Sequence, residues 1–387
     1  MRVAILRRAP KASVSMDVYA DALVQGLKTV RPDWSILEFF PTFDTGRSAT
    51  FLGGFQKYVQ RYWAYPRQLQ RQSVDLFHVI DHSDGHLIYA LKSTGIPTVV
   101  TCHDIINLTQ PELFKGLANF PWLSKTTWQY ALRGMCQADR VITVSAYTAQ
   151  DVTQYLGLAP DRITVVANGV EKIYQTIPRE EAIAFRQQQG IAPETCCLVN
   201  VGSNNPRKNI DTILQVVRAL RDRHFPIHFW KAGGDFSPAQ KQLIQQLALA
   251  PHITYLGQPD KATLVKLYNA ADILLAPSLY EGFGITVLEA MACGLPVITS
   301  NVSSLPEVVG DAAITTDPLD VEAICAAVKQ IFADGGDRQR LIAKGLHRAQ
   351  QFSWEKTAEQ VATLYESLLP LQRSASHRSK TAPTPIA

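Results

Sequence analysis

Short apolar runs alternate with segments of helical periodicity along almost the whole chain, and this alternation restricts its fold more than any other feature. The runs are nearly continuous in apolar residues, which is typical of strands that are covered by helices on both faces. Between the runs, apolar residues recur at helical spacing, as they do in residues 18–30. Strands and helices that alternate with short connections predict parallel, doubly wound sheets.

The predicted strands form two sets on either side of a polar stretch. In the first half of the chain they are Val3–Leu6, Ile36–Phe40, Leu76–Ile80, Thr98–Thr101, Val141–Val144 and Ile163–Val166. In the second half they are Cys197–Val201, His228–Trp230, Ile253–Leu256, Ile273–Ala276, Val297–Thr299 and Ala313–Thr315. We therefore expect an α/β protein whose domains, 1–170 and 196–352, are joined by a linker at 171–195 and face each other across a cleft. A helix at 353–370 is expected to pack back on the first domain, and the tail at 371–387 to be disordered.

Composition excludes several other classes of protein. The 387 residues are 46% apolar, which suffices for two cores and argues against a disordered chain. Lys and Arg number 38 against 34 Asp and Glu, so the net charge of +4 gives no reason to expect a nucleic-acid partner. The six cysteines form no Cys-x-x-Cys pair, which favours reduced core thiols over disulfides or zinc ligands. With no signal peptide and no apolar run of membrane-spanning length, we expect a cytoplasmic protein.

A glycine-containing turn between a strand and a helix carries two acidic residues, in the segment SLYEGFGITVLEAMACGLPVIT at Ser278–Thr299. Gly282 and Gly284 permit a tight turn whose backbone amides approach a ligand, and the next helix is predicted to begin near Gly284. Glu281 then lies in the loop and Glu289 just over one turn into the helix, where they contact different parts of one elongated ligand. The alternative is an ordinary strand–loop–helix crossover with two solvent-facing acids, and the strand and glycines favour the ligand site.

This segment resembles the EGFG…E signature of glycosyltransferase family 4. That family of retaining enzymes includes glycogen-synthase-like enzymes and bacterial mannosyltransferases, and it has the GT-B fold of two Rossmann-like domains. Further motifs follow in the family's order, so the resemblance extends over residues 1–370. They are TCHDI (Thr101–Ile105), TVSAYT (Thr143–Thr148), NGV (Asn168–Val170), GSNNPRKN (Gly202–Asn209) and NVSSLPEVVGDAA (Asn301–Ala313).

The resemblance implies a nucleotide-sugar donor in the second domain and no metal or other cofactor. Glu289 is expected to bind the ribose hydroxyls of the nucleotide. Glu281 is expected to bind the hydroxyls of the transferred sugar, together with the backbone of Gly282, Phe283 and Gly284.

The resemblance also implies that Lys208, helped by Arg207, neutralises the donor diphosphate. The chemistry supports this role independently, because a nucleoside diphosphate leaves only if its growing negative charge is stabilised, and fixed cations can do so. Taken alone, Arg207 and Lys208 could equally be exposed cations before a helix.

Two histidine-containing stretches follow strands of the first domain. His103 directly follows a predicted strand, where doubly wound domains place ligand groups. The resemblance puts it beside the donor sugar and the reacting centre. The stretch DHSDGH at Asp81–His86 could either contact the acceptor or cap the next helix; a metal site there is not expected, because the family needs none.

The chain departs from the family pattern in two places. Many members have a Gly-Gly loop after the first strand, whereas no glycine lies between Arg7 and Asp17 here. The hydroxyls of Ser13 and Ser15 could serve donor or acceptor instead. Many members also have an arginine after the glycine of the phosphate loop; Ser203 stands there in this chain, and Arg207 is its expected substitute.

The segment Thr45–Val74 is basic and aromatic. It contains five cations and no acid, which are Arg47, Lys57, Arg61, Arg67 and Arg71. The aromatic residues between them are Phe51, Phe55, Tyr58, Tyr62, Trp63 and Tyr65. Such a segment suits the surface of an anionic membrane, and equally a solvated helix whose aromatic residues pack on the sheet.

Together these features predict a retaining glycosyltransferase that moves a hexose to a glycan or lipid-linked acceptor. The HDI motif, PELF at Pro111–Phe114 and the LPEVVGDAA stretch favour GDP-mannose as donor, with UDP-glucose or another UDP-sugar as the alternative. A GT-B-fold epimerase or phosphorylase and a non-catalytic sugar-binding module are the alternatives from other classes. A Rossmann dehydrogenase is disfavoured, because no Gly-x-Gly-x-x-Gly follows Val3–Leu6.

Overall fold

The computed structural model describes residues 1–9, 14–41, 58–114 and 122–369. The predicted tail at 371–387 lies outside these ranges, as do Ser13, Arg47, Phe51, Phe55 and Lys57. Within them, the strands form two six-stranded sheets in which all neighbouring strands are parallel. The predicted α/β class with two doubly wound sheets is confirmed.

The first sheet has the order β2-β1-β3-β4-β5-β6 and the second the order β12-β11-β10-β7-β8-β9. The strands of the first are β1 (Arg2–Leu6), β2 (Ser35–Phe39), β3 (Leu76–Val79), β4 (Thr98–Cys102), β5 (Arg140–Thr143) and β6 (Ile163–Val165). The strands of the second are β7 (Cys196–Gly202), β8 (Ile227–Gly233), β9 (Ile253–Tyr255), β10 (Ile273–Ala276), β11 (Val297–Ser300) and β12 (Ile314–Thr316). Every predicted strand is present. The largest difference is at β8, which continues beyond Trp230 because Lys231, Ala232 and Gly233 carry the backbone on in strand geometry.

Helices cover both faces of each sheet. In the first half of the chain they are α1 (Val14–Val30), α2 (Tyr65–Gln70, entered through a π-turn at Gln60–Ala64), α3 (Leu87–Leu91), α4 (Ile106–Thr109), α5 (Trp122–Met135) and α6 (Ala146–Leu156). In the second half they are α7 (Arg179–Gln188), α8 (Ile210–Asp222), α9 (Pro238–Gln246), α10 (Lys261–Ala270), α11 (Ile285–Ala292), α12 (Leu305–Val309), α13 (Val321–Ala333), α14 (Gly335–Gln350) and α15 (Trp354–Leu368). Each sheet has a separate apolar cluster on each face. No helix in the described ranges has the length and apolar character needed to cross a membrane.

The C-terminal helix α15 packs against α1 of the first sheet. A Cβ on Gly26 would lie 2.8 Å from the Cβ of Ala358, so the two helix backbones approach closely only because residue 26 is glycine. Arg31 extends the contact by donating to Glu359 and to Glu366, each at 2.8 Å. The chain that leaves the second sheet therefore returns to the first.

The segment expected to be a plain linker contains a helix, α7. Glu180 and Glu181 favour its N-terminal turn, and Phe185 packs against the apolar cluster of the second sheet. Arg186 donates to Asp272 at 2.8 Å and to the carbonyl of Ala270 at 3.0 Å. The expected linker at 171–195 therefore contains a helix whose sequence is dominated by polar residues, and one face of this helix is bound to the second sheet.

The strand orders define where ligands bind in such folds. In each sheet the order reverses once, between β1 and β3 in the first and between β7 and β10 in the second. Open α/β sheets bind ligands outside the carboxyl ends of the strands at this reversal. The loops that follow β7 and β10 are the GSNNPRKN and EGFG segments.

Candidate active site

The loop after β7 places two cations beside the loop after β10. Pro206–Lys208 forms a 3₁₀ turn that Asn205 caps by accepting the backbone N–H of Arg207 at 3.1 Å. Asn209 adopts φ 54° and donates from its amide to the carbonyls of Pro277 and Pro318, at 3.0 and 2.8 Å. These bonds fix the turn against the loop in which Glu281 lies.

Glu281 is the centre of a buried charge cluster. Lys208 Nζ donates to its Oε1 at 2.6 Å, Ser278 Oγ donates to the same oxygen at 2.8 Å, and Arg207 Nη1 donates to Oε2. Burial opposes ionisation of this carboxyl, but Arg207 and Lys208 outweigh it and hold the pKa of Glu281 at about 2. Burial lowers the pKa of Lys208, and the attraction of Glu281 offsets part of that effect. Two predicted diphosphate ligands and one predicted sugar ligand therefore form one ion cluster in this structure.

Glu289 lies apart from that cluster. Its helix, α11, begins after Gly284, which has φ 98° and serves as the N-cap, as the sequence predicted. Tyr268 donates to Glu289 Oε2 at 2.9 Å, and Tyr174 also donates to the carboxylate. Burial raises the pKa of Glu289 to about 7, even though both tyrosine hydroxyls favour the ionised form. The two carboxylates differ in charge at neutral pH, which suits them to different ligand groups.

His103 touches the EGFG loop through its backbone. A Cβ on Gly282 would lie 2.0 Å from the carbonyl oxygen of His103, so only glycine permits this contact between the two halves of the chain. The His103 ring donates from Nε2 to the carbonyl of Ile80 at 2.8 Å and packs edge-on against Tyr19. Burial lowers the pKa of this histidine. A neutral ring that donates from Nε2 has an acceptor at Nδ1, which a sugar hydroxyl can use.

Other contacts that join the two halves of the chain are not evident from the motifs. The Glu307 carboxylate accepts the backbone N–H groups of Ala146 and Tyr147, at 2.9 and 3.3 Å, at the start of α6. Tyr280 donates to Asp151 at 2.6 Å. Burial raises the pKa of Glu307 and of Asp151. A carboxylate is favoured at a helix N-terminus, so Glu307 stabilises the approach of α12 to α6.

The hydrogen bonds and ion pairs of the DHSDGH stretch mainly hold its own turn in place. Asp81 accepts the backbone N–H of Ser83 at 2.8 Å, which caps the 3₁₀ turn at His82–Asp84, and it pairs with Arg8 at 3.1 Å. The capped turn lies within the stretch itself, and the next helix, α3, has no side-chain cap at His86. Buried atoms without hydrogen-bond partners remain here, at Ser83 Oγ and at Nδ1 of His82 and His86. Among the described residues, no group of His, Cys, Asp and Glu has the arrangement of a metal site.

The chain departs from the family pattern in the loop after β1, which lacks glycine, and at Ser203 after β7. Ser15 is exposed on α1, and Arg7 of the same loop pairs with Glu38 at 2.7 Å. Ser203 is exposed after β7, and the guanidinium that reaches the cluster is that of Arg207.

The described part of the basic, aromatic segment is divided between core and surface. Tyr65 is buried, whereas Trp63 is 58% and Tyr58 44% exposed. Arg67 lies over the Trp63 ring at 3.9 Å, and Arg61 pairs with Asp84 at 2.5 Å. Of the aromatic residues described here, Tyr65 packs in the core, whereas Trp63 and Tyr58 remain at the surface.

Sequence reasoning missed Lys231, Tyr268 and Glu307 as neighbours of the site. Lys231 had a signal, since it is a charged residue inside the otherwise apolar run of β8. Tyr268 had none, because it belongs to an ordinary helical pattern. Glu307 lies within the NVSSLPEVVGDAA motif, but the motif does not indicate the distant residues that it contacts.

Comparison with known proteins agrees with this geometry. The family model described as "Glycosyltransferase Family 4" matches residues 30–172, and that described as "Glycosyl transferases group 1" matches residues 182–348. The O-antigen chain mannosyltransferase B of Escherichia coli is 34% identical over 275 residues, which is 70% of each chain. The serotype-specific mannosyltransferase WbdA of Escherichia coli is 28% identical over 300 residues, 73% of this chain but only 36% of WbdA. The crystal structure of Anabaena HepE in complex with UDP-glucose superposes with a TM-score of 0.75 at 19% identity, covering 95% of this chain and 100% of HepE.

Two doubly wound parallel sheets in one chain, together with the likeness in fold to HepE, place the protein in the GT-B class. Family models match both halves of the chain, and one relative is 34% identical over 70% of it. These matches identify the family within the GT-B class. The chain belongs to glycosyltransferase family 4, and its activity is that of a glycosyltransferase.

Proposed function

We propose that the protein is a retaining hexosyltransferase that takes its sugar, preferably mannose, from a nucleotide-diphosphate donor. The observation that carries the proposal is the Arg207–Lys208–Glu281 cluster at the ends of β7 and β10. Its two cations are held beside the EGFG loop, where donor phosphates would meet them. Mannose is favoured because the curated relatives of 34% and 28% identity are named mannosyltransferases.

In the proposed reaction, the bond between the sugar C1 and the donor phosphate oxygen breaks, and the acceptor oxygen bonds to C1 on the same face. The leaving diphosphate accepts the proton of the acceptor hydroxyl. Arg207 and Lys208 move from Glu281 toward the diphosphate and stabilise its growing charge, while Glu281 accepts hydroxyl groups of the sugar. His103 borders the reacting centre, and closure of the two halves excludes water that would hydrolyse the donor.

The donor assignment is tested by binding followed by turnover. Thermal-shift and calorimetric titrations with GDP, UDP and ADP identify the base, and rates with GDP-mannose and UDP-glucose identify the sugar. NMR of the product anomer tests retention. UDP-glucose turnover exceeding that of GDP-mannose would support the alternative donor, which the likeness in fold to HepE makes worth testing. Release of inorganic phosphate or of an epimerised sugar would instead indicate a phosphorylase or an epimerase.

A matched pair of lysines controls for general effects of substitution. Lys208 and Lys344 each lie 2.6 Å from a carboxylate, but Lys208 is buried against Glu281 whereas Lys344 pairs with Asp311 at the surface. We expect Lys208→Met to lower transfer by about 30–1000-fold and Lys344→Met to leave it unchanged. A protein that binds no nucleotide would instead be a sugar-binding module without catalysis.

We also propose that the acceptor is a glycan or lipid-linked sugar met at the cytoplasmic face of an anionic membrane. Support comes from the exposed rings of Trp63 and Tyr58 on the N-terminal half, with Arg67 lying over Trp63. Aromatic rings and cations of this kind bind the interface of anionic bilayers, with about 1 kcal/mol per cation.

Liposome co-sedimentation tests the membrane contact. Binding should require anionic lipid, weaken as salt rises, and fall when Arg67 and Arg71 are changed to Gln. Arg223→Gln, which removes a surface cation of the second half paired with Glu322, is the control. Absence of binding to anionic liposomes at low salt would refute the membrane contact and leave the glycosyltransferase assignment intact.

A further inference from the structure

Lys231 is a lysine in the middle of a buried strand. It is fully buried, between Trp230 and Ala232 of β8. Its ammonium donates to two backbone carbonyls, that of Gly202 at 2.8 Å and that of Ala232 at 2.9 Å. Within the described residues, no carboxylate lies within ion-pair distance of it. A buried ammonium without a counter-ion is costly, so a hydrocarbon side chain would serve the core of the strand better.

The carbonyl that Lys231 holds belongs to the loop of the charge cluster. Gly202 ends β7 and begins GSNN, the segment that leads to Arg207 and Lys208. A Cβ on Gly202 would lie 3.6 Å from Lys208 Nζ, so the ammonium groups of Lys208 and Lys231 flank the same glycine. The loop also rests on the end of β8, because a Cβ on Gly234 would lie 2.5 Å from the backbone nitrogen of Asn204. The hydrogen bond from Lys231 to Gly202 therefore holds the start of this loop against β8.

Three cations, Arg207, Lys208 and Lys231, border this loop. Glu281 bonds the first two, and the charges of Asp104 and Glu289 also act on Arg207 and Lys208 respectively. Asp235 also faces Lys231 and raises its pKa, but this acid is exposed and pairs with Lys241 at 2.6 Å. Within the described residues no carboxylate bonds Lys231 directly, so a polyanion such as a diphosphate suits it as a counter-ion.

We propose that Lys231 is a positioning residue of the donor site, which orders the Gly202–Asn204 turn toward the diphosphate and takes up a proton when a nucleoside diphosphate binds. This inference rests on the proposed function, since it presumes a nucleotide donor. Burial, and next the charge of Lys208, lower the pKa of Lys231 to about 8, so part of the population is neutral in mildly alkaline solution. A bound diphosphate adds negative charge near the ammonium and raises that pKa again.

Calorimetry measures this proton uptake directly. GDP and UDP are titrated into the wild type at pH 8 in two buffers that differ in ionisation enthalpy, and the difference in apparent binding heat gives the number of protons taken up. We expect uptake of a substantial fraction of one proton by the wild type. Lys231→Met should take up at least twofold less and bind about tenfold more weakly, and Lys344→Met should match the wild type in both. Ionisation of the base is common to all proteins and cancels in the comparison.

Lys231→Arg separates this role from a purely structural one. Because guanidinium stays charged, this variant should retain affinity at pH 8 while losing the proton uptake. It also keeps the test informative if Lys231→Met fails to fold. Equal proton uptake in the wild type and in either folded variant would overturn the inference while leaving the donor site in place. Failure of both nucleotides to bind the wild type would overturn the donor site itself, and the inference with it.

Discussion

Glu289 provides a prediction in which stability and function change in opposite directions. Its carboxyl is enclosed beside Tyr268 and Tyr174, and burial raises its pKa from 4.5 to about 7. As pH rises through 4.5, the unfolded chain loses this proton while the folded protein keeps it, so the stability of the fold falls until pH 7 and then levels off. Glu289→Gln, which resembles the neutral acid, should therefore stabilise the protein above pH 7.

The magnitude follows from the size of the shift. One pKa unit corresponds to ~1.4 kcal/mol, so ionising the buried Glu289 costs at most about 3 kcal/mol. Partial exposure of the side chain reduces this cost, and we expect Glu289→Gln to gain about 1–3 kcal/mol at pH 8 and less than ~1 kcal/mol at pH 5. Both tyrosine hydroxyls can still donate to the amide oxygen of Gln, so the variant keeps these bonds.

Thermal denaturation at pH 5 and pH 8 measures the effect, with ~2–4 °C expected per kcal/mol for a domain of 150–250 residues. In parallel, calorimetry with the bare nucleoside diphosphate should show about 10–100-fold weaker binding, because a ribose hydroxyl bonds more strongly to a carboxylate than to an amide. Glu322→Gln, at an exposed carboxylate paired with Arg223, is the control. Equal stabilisation at both pH values, or none at pH 8, would refute the reasoning.

Three further predictions concern the charge cluster and the contact between the two halves. Lys208→Ala should lower turnover by ~30–1000-fold, corresponding to the ~2–4 kcal/mol of an electrostatic stabiliser, and near wild-type turnover in the folded variant would contradict its role. Glu281→Ala should spare binding of the bare nucleoside diphosphate, as measured by calorimetry, yet slow sugar transfer. Equal loss of nucleotide affinity in Glu281→Ala and Glu289→Gln would contradict the different roles of the two carboxylates. Glu307→Gln weakens the charge at the start of α6 and should increase donor hydrolysis relative to transfer, so an unchanged ratio would argue against its part in excluding water.

The elements of the fold were predictable because their cause is local. A strand covered on both faces is mostly apolar, and β1, β7 and β10 are short runs of this kind. Helix α7 escaped prediction because its binding face depends on Asp272, which lies 86 positions from Arg186. Contacts with residues distant in sequence thus bind α7 to the second sheet, although most residues of the helix are polar.

The site was predictable as a set of residue types but not as a set of contacts. The motifs identified Lys208 and Glu281 separately, yet their ion pair joins positions 73 apart and exists because β7 and β10 are neighbours. Lys231 illustrates the same limit, since its partner Gly202 belongs to the adjacent strand. The pairing of strands decides which charged residues become neighbours, and a single motif does not specify that pairing.

That charge distribution implies a pH window for binding of the donor. We propose that Glu289 accepts the ribose hydroxyls, most strongly when it is ionised, so its pKa of about 7 makes affinity rise through that pH. Lys231 loses its proton as pH rises past about 8, which lowers affinity for the diphosphate again. Glu281, with a pKa of about 2, stays ionised throughout.

We therefore expect affinity for the nucleoside diphosphate to be highest between about pH 7 and 8 and to fall on both sides. One variant tests each side of this pH profile. Glu289→Gln should remove only the rise in affinity below pH 7, and Lys231→Arg should remove only the fall in affinity above pH 8. Lys208 is a second buried ammonium near the phosphates, so an alkaline limb that persists unchanged in Lys231→Arg would assign that titration to Lys208 instead. Calorimetric affinities from pH 6 to pH 9 distinguish these outcomes, because the two groups act on opposite ends of the same nucleotide.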